Sequence, residues 1–147
     1  MPEPVIICLH QPALELAEKV ASLCDGEVHG LQSRVKTIPK TFEKTKEHLQ
    51  DLFQKGHPLV GICSSGILIR SLADVLSDKH TEPPVLAVAE DGSCVIPLLG
   101  GHHGANDLAR KIASGLGVVA AVTTAGDLRF GIALDQPPED LTLANPK

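Results

Sequence analysis

The stretch Gly100-Gly101-His102-His103-Gly104-Ala105-Asn106-Asp107 is the richest in side chains that could do chemistry. Glycines let a backbone approach a ligand closely. A helix that starts just after them aims free N–H groups and the positive end of its dipole back at the loop. Two adjacent histidines add switchable charge, proton transfer or metal ligation. The spacing is neither G-x-G-x-x-G nor a phosphate loop with G-K-[ST], so it does not specify a nucleotide. Asn106 or Asp107 could equally be an ordinary helix cap. Zinc is disfavoured, since no third ligand stands at motif spacing and neighbouring side chains of one loop seldom face one ion. His102 and His103 are therefore the candidate catalytic pair, Gly100, Gly101, Gly104 and Asn106 candidate binding residues, and no metal ligand set is assigned.

Three other places carry weaker signals. Thr123-Thr124-Ala125-Gly126-Asp127 offers hydroxyls, amides and a carboxylate, which makes Thr123, Thr124 and Asp127 candidates for binding as well as for capping a turn. Ser64-Ser65-Gly66 lies between a strand and a helix, where Ser64 and Ser65 could hold a carboxylate; it is not the G-x-S-x-G elbow of a serine hydrolase. Arg70 interrupts Ile67-Leu68-Ile69 on an apolar helix, so it should pair, with Asp74 or Asp78, or bind a ligand. Cys63 reads as a core residue and His80 as a surface one. His10, His29, His48 and His57 have no constellation around them. The basic excess between Arg34 and Lys55 reads as a solvated helix face.

The elements that must position these residues alternate. Pro4–Leu9 is a strand, followed by a helix from Pro12 with Leu16, Ala17, Val20, Leu23 and Cys24 inward, stopped at Gly26. A short strand is expected at Val35–Ile38. Thr41 should cap a helix with Phe42, Leu49, Leu52 and Phe53 inward, ended by Gly56. Leu59–Cys63, Val85–Ala89, Cys94–Leu99 and Val118–Val122 read as strands, the last one buried, and Ile67–Leu76 and Ala105–Leu116 as helices. Asp91-Gly92 marks a hairpin. The fold class is α/β, a three-layer arrangement with a mostly parallel but mixed sheet and helices on both faces. Right-handed crossovers and the hairpin together place the Gly-His and Thr-Thr loops at one end of the strands, and the Ser-Ser-Gly loop at the other.

Length and composition set outer bounds. The 147 residues suit one domain that needs no disulfide or metal staple. Residues 1–131 read as that domain and 132–147, with Pro137-Pro138-Glu139-Asp140, as a linker. Three Phe with no Tyr or Trp argue against a stacking platform for nucleic acid, and a net charge of −5 gives no general attraction to nucleic acid or anionic membrane. Four scattered cysteines without C-x-x-C spacing suit a reducing, cytoplasmic setting. No signal peptide or membrane span is legible.

Taken in order, Asp78-Lys79-His80-Thr81-Glu82-Pro83-Pro84-Val85, Asp91-Gly92, Leu98–Ala109 and Thr123-Thr124-Ala125 resemble the N-terminal domain of the cobalt-precorrin-5A hydrolase (CbiG) family of cobalamin biosynthesis. The turn at Gly61–Gly66 leading to Arg70 is similar to the segment before it. The resemblance covers Leu59–Asp127 and is thin before that. It implies a corrinoid substrate, a precorrin or cobalt-precorrin, whose lactone is opened with loss of a two-carbon fragment as acetaldehyde. His102 or His103 would then serve as general acid or base, or approach the cobalt, which belongs to the substrate; no separate cofactor is implied. The family loop reads S-G-H-x-G-G-A-N. Here Gly100 replaces Ser, His103 fills the variable position, and one Gly is missing. A second, C-terminal hydrolase-type domain is implied as a partner. The tail from Phe130 instead resembles the linker of fusions to a precorrin-3B methyltransferase, in which this domain would bind the corrinoid or dock a partner without catalysis. An unrelated α/β phosphate-ester or nucleotide binder is the third reading.

Overall fold

The computed structural model describes residues 2–125. The strands β1 (Val5–Cys8), β4 (Leu59–Ile62) and β5 (Val85–Val88) are buried along their whole length, as expected for central strands covered on both faces. With β2 (Glu27–Leu31), β3 (Thr41–Phe42) and β6 (Val95–Leu99) they form one six-stranded sheet in the order β3-β2-β1-β4-β5-β6. All neighbours are parallel except β5 and β6, which the Asp91-Gly92 turn makes antiparallel. Gly92 sits at φ +73, and its N–H donates to the Ala89 carbonyl at 2.8 Å.

Side chains alternate along each strand, so two apolar layers form. Ile6, Cys8, Val60, Ile62, Leu86 and Val88 pack with α1 (Leu14–Cys24) and α4 (Ala105–Leu116) on one face. Val5, Ile7, Leu59, Val85 and Ala87 pack with α2 (Thr45–Gln54) and α3 (Ser65–Leu72) on the other. This is the expected three-layer α/β architecture with a mixed sheet.

Four local expectations are corrected. The strand lies at Glu27–Leu31, not Val35–Ile38. The chain turns back after it, with Arg34 and Val35 N–H groups donating to the Leu31 carbonyl, and Val35 and Ile38 fill the space that Gly30 leaves. Thr41 and Phe42 form β3 instead of opening a helix; α2 starts at Thr45 after an extended Lys44, and Phe42 is buried from the strand side. Helix α3 stops at Leu72, followed by a 3-10 turn at Ala73–Val75, and Ile69 is 54% exposed. The segment 118–122 is not a buried strand. Only Ala120 bridges Val95, in parallel as expected, and Val119 is 84% exposed. Continuing that ladder requires an N–H from Pro97, which has none.

Candidate functional site

The antiparallel turn carries the chain back to the amino ends of β4 and β5, so the Gly-His loop forms beside Pro83 and Pro84. Gly100 lies at φ +81, and a Cβ there would stand 2.6 Å from the Pro83 carbonyl oxygen. Glycine is required twice over, by the left-handed backbone and by the close approach. Its own carbonyl accepts from His103 N–H (2.8 Å) and Ala105 N–H (3.1 Å), which closes one 3-10 turn over Gly101–His103. Gly104, at φ +92, then starts α4. The cap is thus glycine, with no side-chain cap bond, and Asn106 is not a cap.

Asn106 is 5% exposed inside the first turn of α4, and its Nδ2 donates to Thr124 Oγ1 at 3.1 Å. That bond ties the Thr-Thr segment to the loop. Gly101, Asn106, Thr123 and Thr124 line a small cleft of about 80 Å³ with Pro97, Leu98, Leu99 and Ala105. The space admits one carboxylate-sized group. His102 is exposed, and its ring lies 5.7 Å from that of His80 at a 48° tilt. His103 is half-buried, its Nδ1 enclosed and without a hydrogen-bond partner among the described residues. The structure therefore gathers Gly100, Gly101, His102, His103, Gly104, Asn106, Thr123 and Thr124 at one end of the sheet. Asp127 lies outside the described residues.

Ser64, Ser65 and Arg70 stand at the opposite end, beyond the carboxyl end of β4, as the strand directions require. The strands between the two ends are four residues long, roughly 13 Å at 3.3 Å per residue. Arg70 is exposed and pairs with neither Asp74 nor Asp78; Asp74 pairs with Lys46 at 2.9 Å. Burial and the Glu90 carboxylate push the Cys63 thiol up to about 11, so it is protonated at neutral pH and inert as a nucleophile.

Other histidines have partners that sequence reading did not foresee. His80 is exposed, as expected, and its ring adjoins that of His102. His10 bonds Glu90 at 2.7 Å across the loops that follow β1 and β5. His29 Nδ1 lies 2.9 Å from His48 Nε2, and His29 Nε2 lies 2.7 Å from Glu27. The His10–Glu90 and His29–His48 contacts join residues distant in sequence, which no local spacing announces, whereas Glu27 and His29 stand two apart on one strand. Among the described residues no three His, Cys, Asp or Glu side chains are grouped to hold a metal ion, and no helix is long and apolar enough to cross a membrane.

Comparison with known proteins places this geometry. The family model for cobalamin synthesis G N-terminal matches residues 47–127, from α2 through the Gly-His loop to the Thr-Thr segment. A cobalt-precorrin-5A hydrolase of Priestia megaterium is 39% identical over 88 residues, 59% of this chain and 24% of that protein. The Salmonella typhimurium enzyme of the same name is 44% identical over 78 residues, 52% of this chain and 22% of that protein. The chain thus matches less than a quarter of the length of either relative. A cobalamin biosynthesis protein G homologue from Sulfolobus solfataricus superposes with a TM-score of 0.62 at 20% identity, over 82% of this chain and 36% of that one, and shares the fold. With the Gly-His loop, the Thr-Thr segment and the second half of the sheet all inside the matched region, the chain belongs to the cobalamin synthesis G N-terminal family.

Proposed function

We propose that this domain holds a precorrin or cobalt-precorrin intermediate of cobalamin biosynthesis by its rim, at the Gly-His end of the sheet. The observation that carries the reading is the family match, whose span includes the loop and the Asn106–Thr124 tie. Such intermediates are edged with carboxylates, and a cleft of about 80 Å³ beside a helix start suits one carboxylate arm, not a whole macrocycle. The rest of the ring then rests on another surface, supplied by a C-terminal hydrolase-type or methyltransferase domain. The setting is a reducing cytoplasm, in keeping with four free cysteines.

In the catalytic form of this reading, His102 takes a proton from water as the oxygen attacks the lactone carbonyl. The ring C–O bond breaks, the proton returns to the departing alkoxide, and the new carboxylic acid loses its own proton to solvent, leaving a carboxylate and a hydroxyl. The two-carbon fragment departs afterwards as acetaldehyde. The backbone N–H groups of His103 and Ala105, both donating to the Gly100 carbonyl, close the turn that presents His102. The second reading is a domain that binds or docks without catalysis. It is favoured by Gly100 standing where the family carries Ser, since a role for that hydroxyl has no residue here.

Absorbance titration of the chain with cobalt-precorrin-5A, followed by an acetaldehyde assay with and without a C-terminal hydrolase-type domain, separates the two. Binding with acetaldehyde release, reduced roughly 10²-fold or more by His102→Ala, supports catalysis. Binding without release supports docking. If His102→Ala and His103→Ala both leave affinity and turnover unchanged, the loop is not the site.

A further inference from the structure

The order β3-β2-β1-β4-β5-β6 reverses direction between β1 and β4, since the chain builds outward from β1 first on one side and then on the other. Loops after these two strands leave in opposite directions and open a crevice at their carboxyl ends. In open α/β sheets this crevice is where ligands are held. It lies at the end of the sheet away from the Gly-His loop, and the reading proposed above does not use it.

The crevice is present here as an open groove of about 580 Å³, a size suited to a small molecule. Leu9, Leu31 and Ile67 give it an apolar floor, and Thr45 and Ser71 add hydroxyls. Its charges come from Arg34, in the turn after β2, from Lys46 and Arg70 on α2 and α3, and from Glu43. Lys46 is matched by Asp74. Neither Arg34 nor Arg70 forms an ion pair with a carboxylate among the described residues. Arg70 folds back over the start of α3. A Cβ on Gly66 would stand 3.0 Å from its Nη1 and 3.1 Å from Nη2, so the guanidinium rests against the first turn of that helix. Two fork-shaped cations from segments 36 positions apart in sequence thus border one groove, against one carboxylate, in a chain of net charge −5.

We propose that this groove is a second binding site, for a molecule that carries two or more carboxylates on an apolar body, with Arg34 and Arg70 as the bidentate carboxylate ligands. Such a ligand matches the apolar floor with its body and the two guanidiniums with its acids. The chemistry is shared by a carboxylate-fringed tetrapyrrole and by an unrelated small polycarboxylate.

The test is an amide chemical-shift titration of the full 147-residue chain with citrate, and separately with cobalt-precorrin-5A, on the native protein and on Arg34→Ala, Arg70→Ala, the His102→Ala/His103→Ala pair and Lys19→Ala. Citrate should shift amides at Arg34, Thr45 and Ser64–Ile67. Each arginine change should weaken it about tenfold, while Lys19→Ala, on the other face, leaves it unaltered. Both arginines are exposed, so neither change should unfold the chain. If the tetrapyrrole affinity falls with the arginines, the groove takes the tetrapyrrole. If it follows the histidines while citrate follows the arginines, the groove serves a separate polycarboxylate; either result upholds the proposal. Citrate affinity that is undetectable or indifferent to Arg34 and Arg70, together with tetrapyrrole affinity equally indifferent to them, overturns it. A tetrapyrrole that fails to bind at all counts against the Gly-His reading instead, and the citrate arm still decides the groove.

Discussion

Gly100 and Gly104 look alike in the sequence and flank the same two histidines, but the structure asks different things of them. Both take a left-handed backbone, at φ +81 and +92. Only Gly100 also has backbone atoms of Pro83 and Pro84 within 2.7 Å of where a Cβ would stand, whereas nothing lies within 4 Å of that position at Gly104. Gly104→Ala should therefore cost about 1 kcal/mol, the strain of the conformation alone. Gly100→Ala should cost roughly 3 kcal/mol, because a rigid backbone must also move. Urea denaturation of the two variants checks the difference. That glycines cluster around His102 was plain from the residue order; that one of them is clamped by Pro83 depends on β6 running antiparallel. Arg70 shows the converse. Its oddness on an apolar helix was visible, but the partner Asp74 was already taken by Lys46, a residue 28 positions away from it.

At the scale of elements, the half of the chain from β4 to α4 was legible because its strands are unbroken apolar runs and its helices repeat at 3.6. So were β1 and α1, but the stretch from β2 to the start of α2 was not, because β2 carries Glu27, His29 and Gly30. Those residues spoil the apolar signal, yet each is accounted for by a neighbouring element. Glu27 is bonded to Lys40 and His29, which together push its carboxyl down to about 2. His29 bonds His48 of α2, whose ring stacks on Phe42 of β3 with centroids 4.5 Å apart. This cluster stitches β2, β3 and α2 into one unit, and it responds to acid. Burial, reinforced by His29, lowers the His48 pKa below 6.5, so the unfolded chain takes up that proton at higher pH than the folded one does. Stability should fall as pH drops below 6.5, and fall again between 4.5 and about 2 as Glu27 is protonated. Urea midpoints measured from pH 8 to 3 should show both steps. His48→Gln, which keeps a hydrogen-bonding side chain and does not titrate, should flatten the first and keep the second.

The whole molecule is a sheet with two chemically different ends and two edges. One end bears the His102–His103 turn and the Asn106–Thr124 tie, and the other the Arg34 and Arg70 groove. One edge, β3, is only two residues long. The other, β6, has outward-facing groups at alternate positions. Val95 already gives its carbonyl to Ala121 N–H, and Pro97, next on the same side, has no hydrogen to donate. The proline that stops 118–122 from becoming a seventh strand therefore also denies β6 to any foreign chain as a template. Pro97→Val should leave the circular dichroism spectrum native while light scattering of a concentrated solution rises over hours; a variant as clear as the parent would show that the edge is guarded by something else.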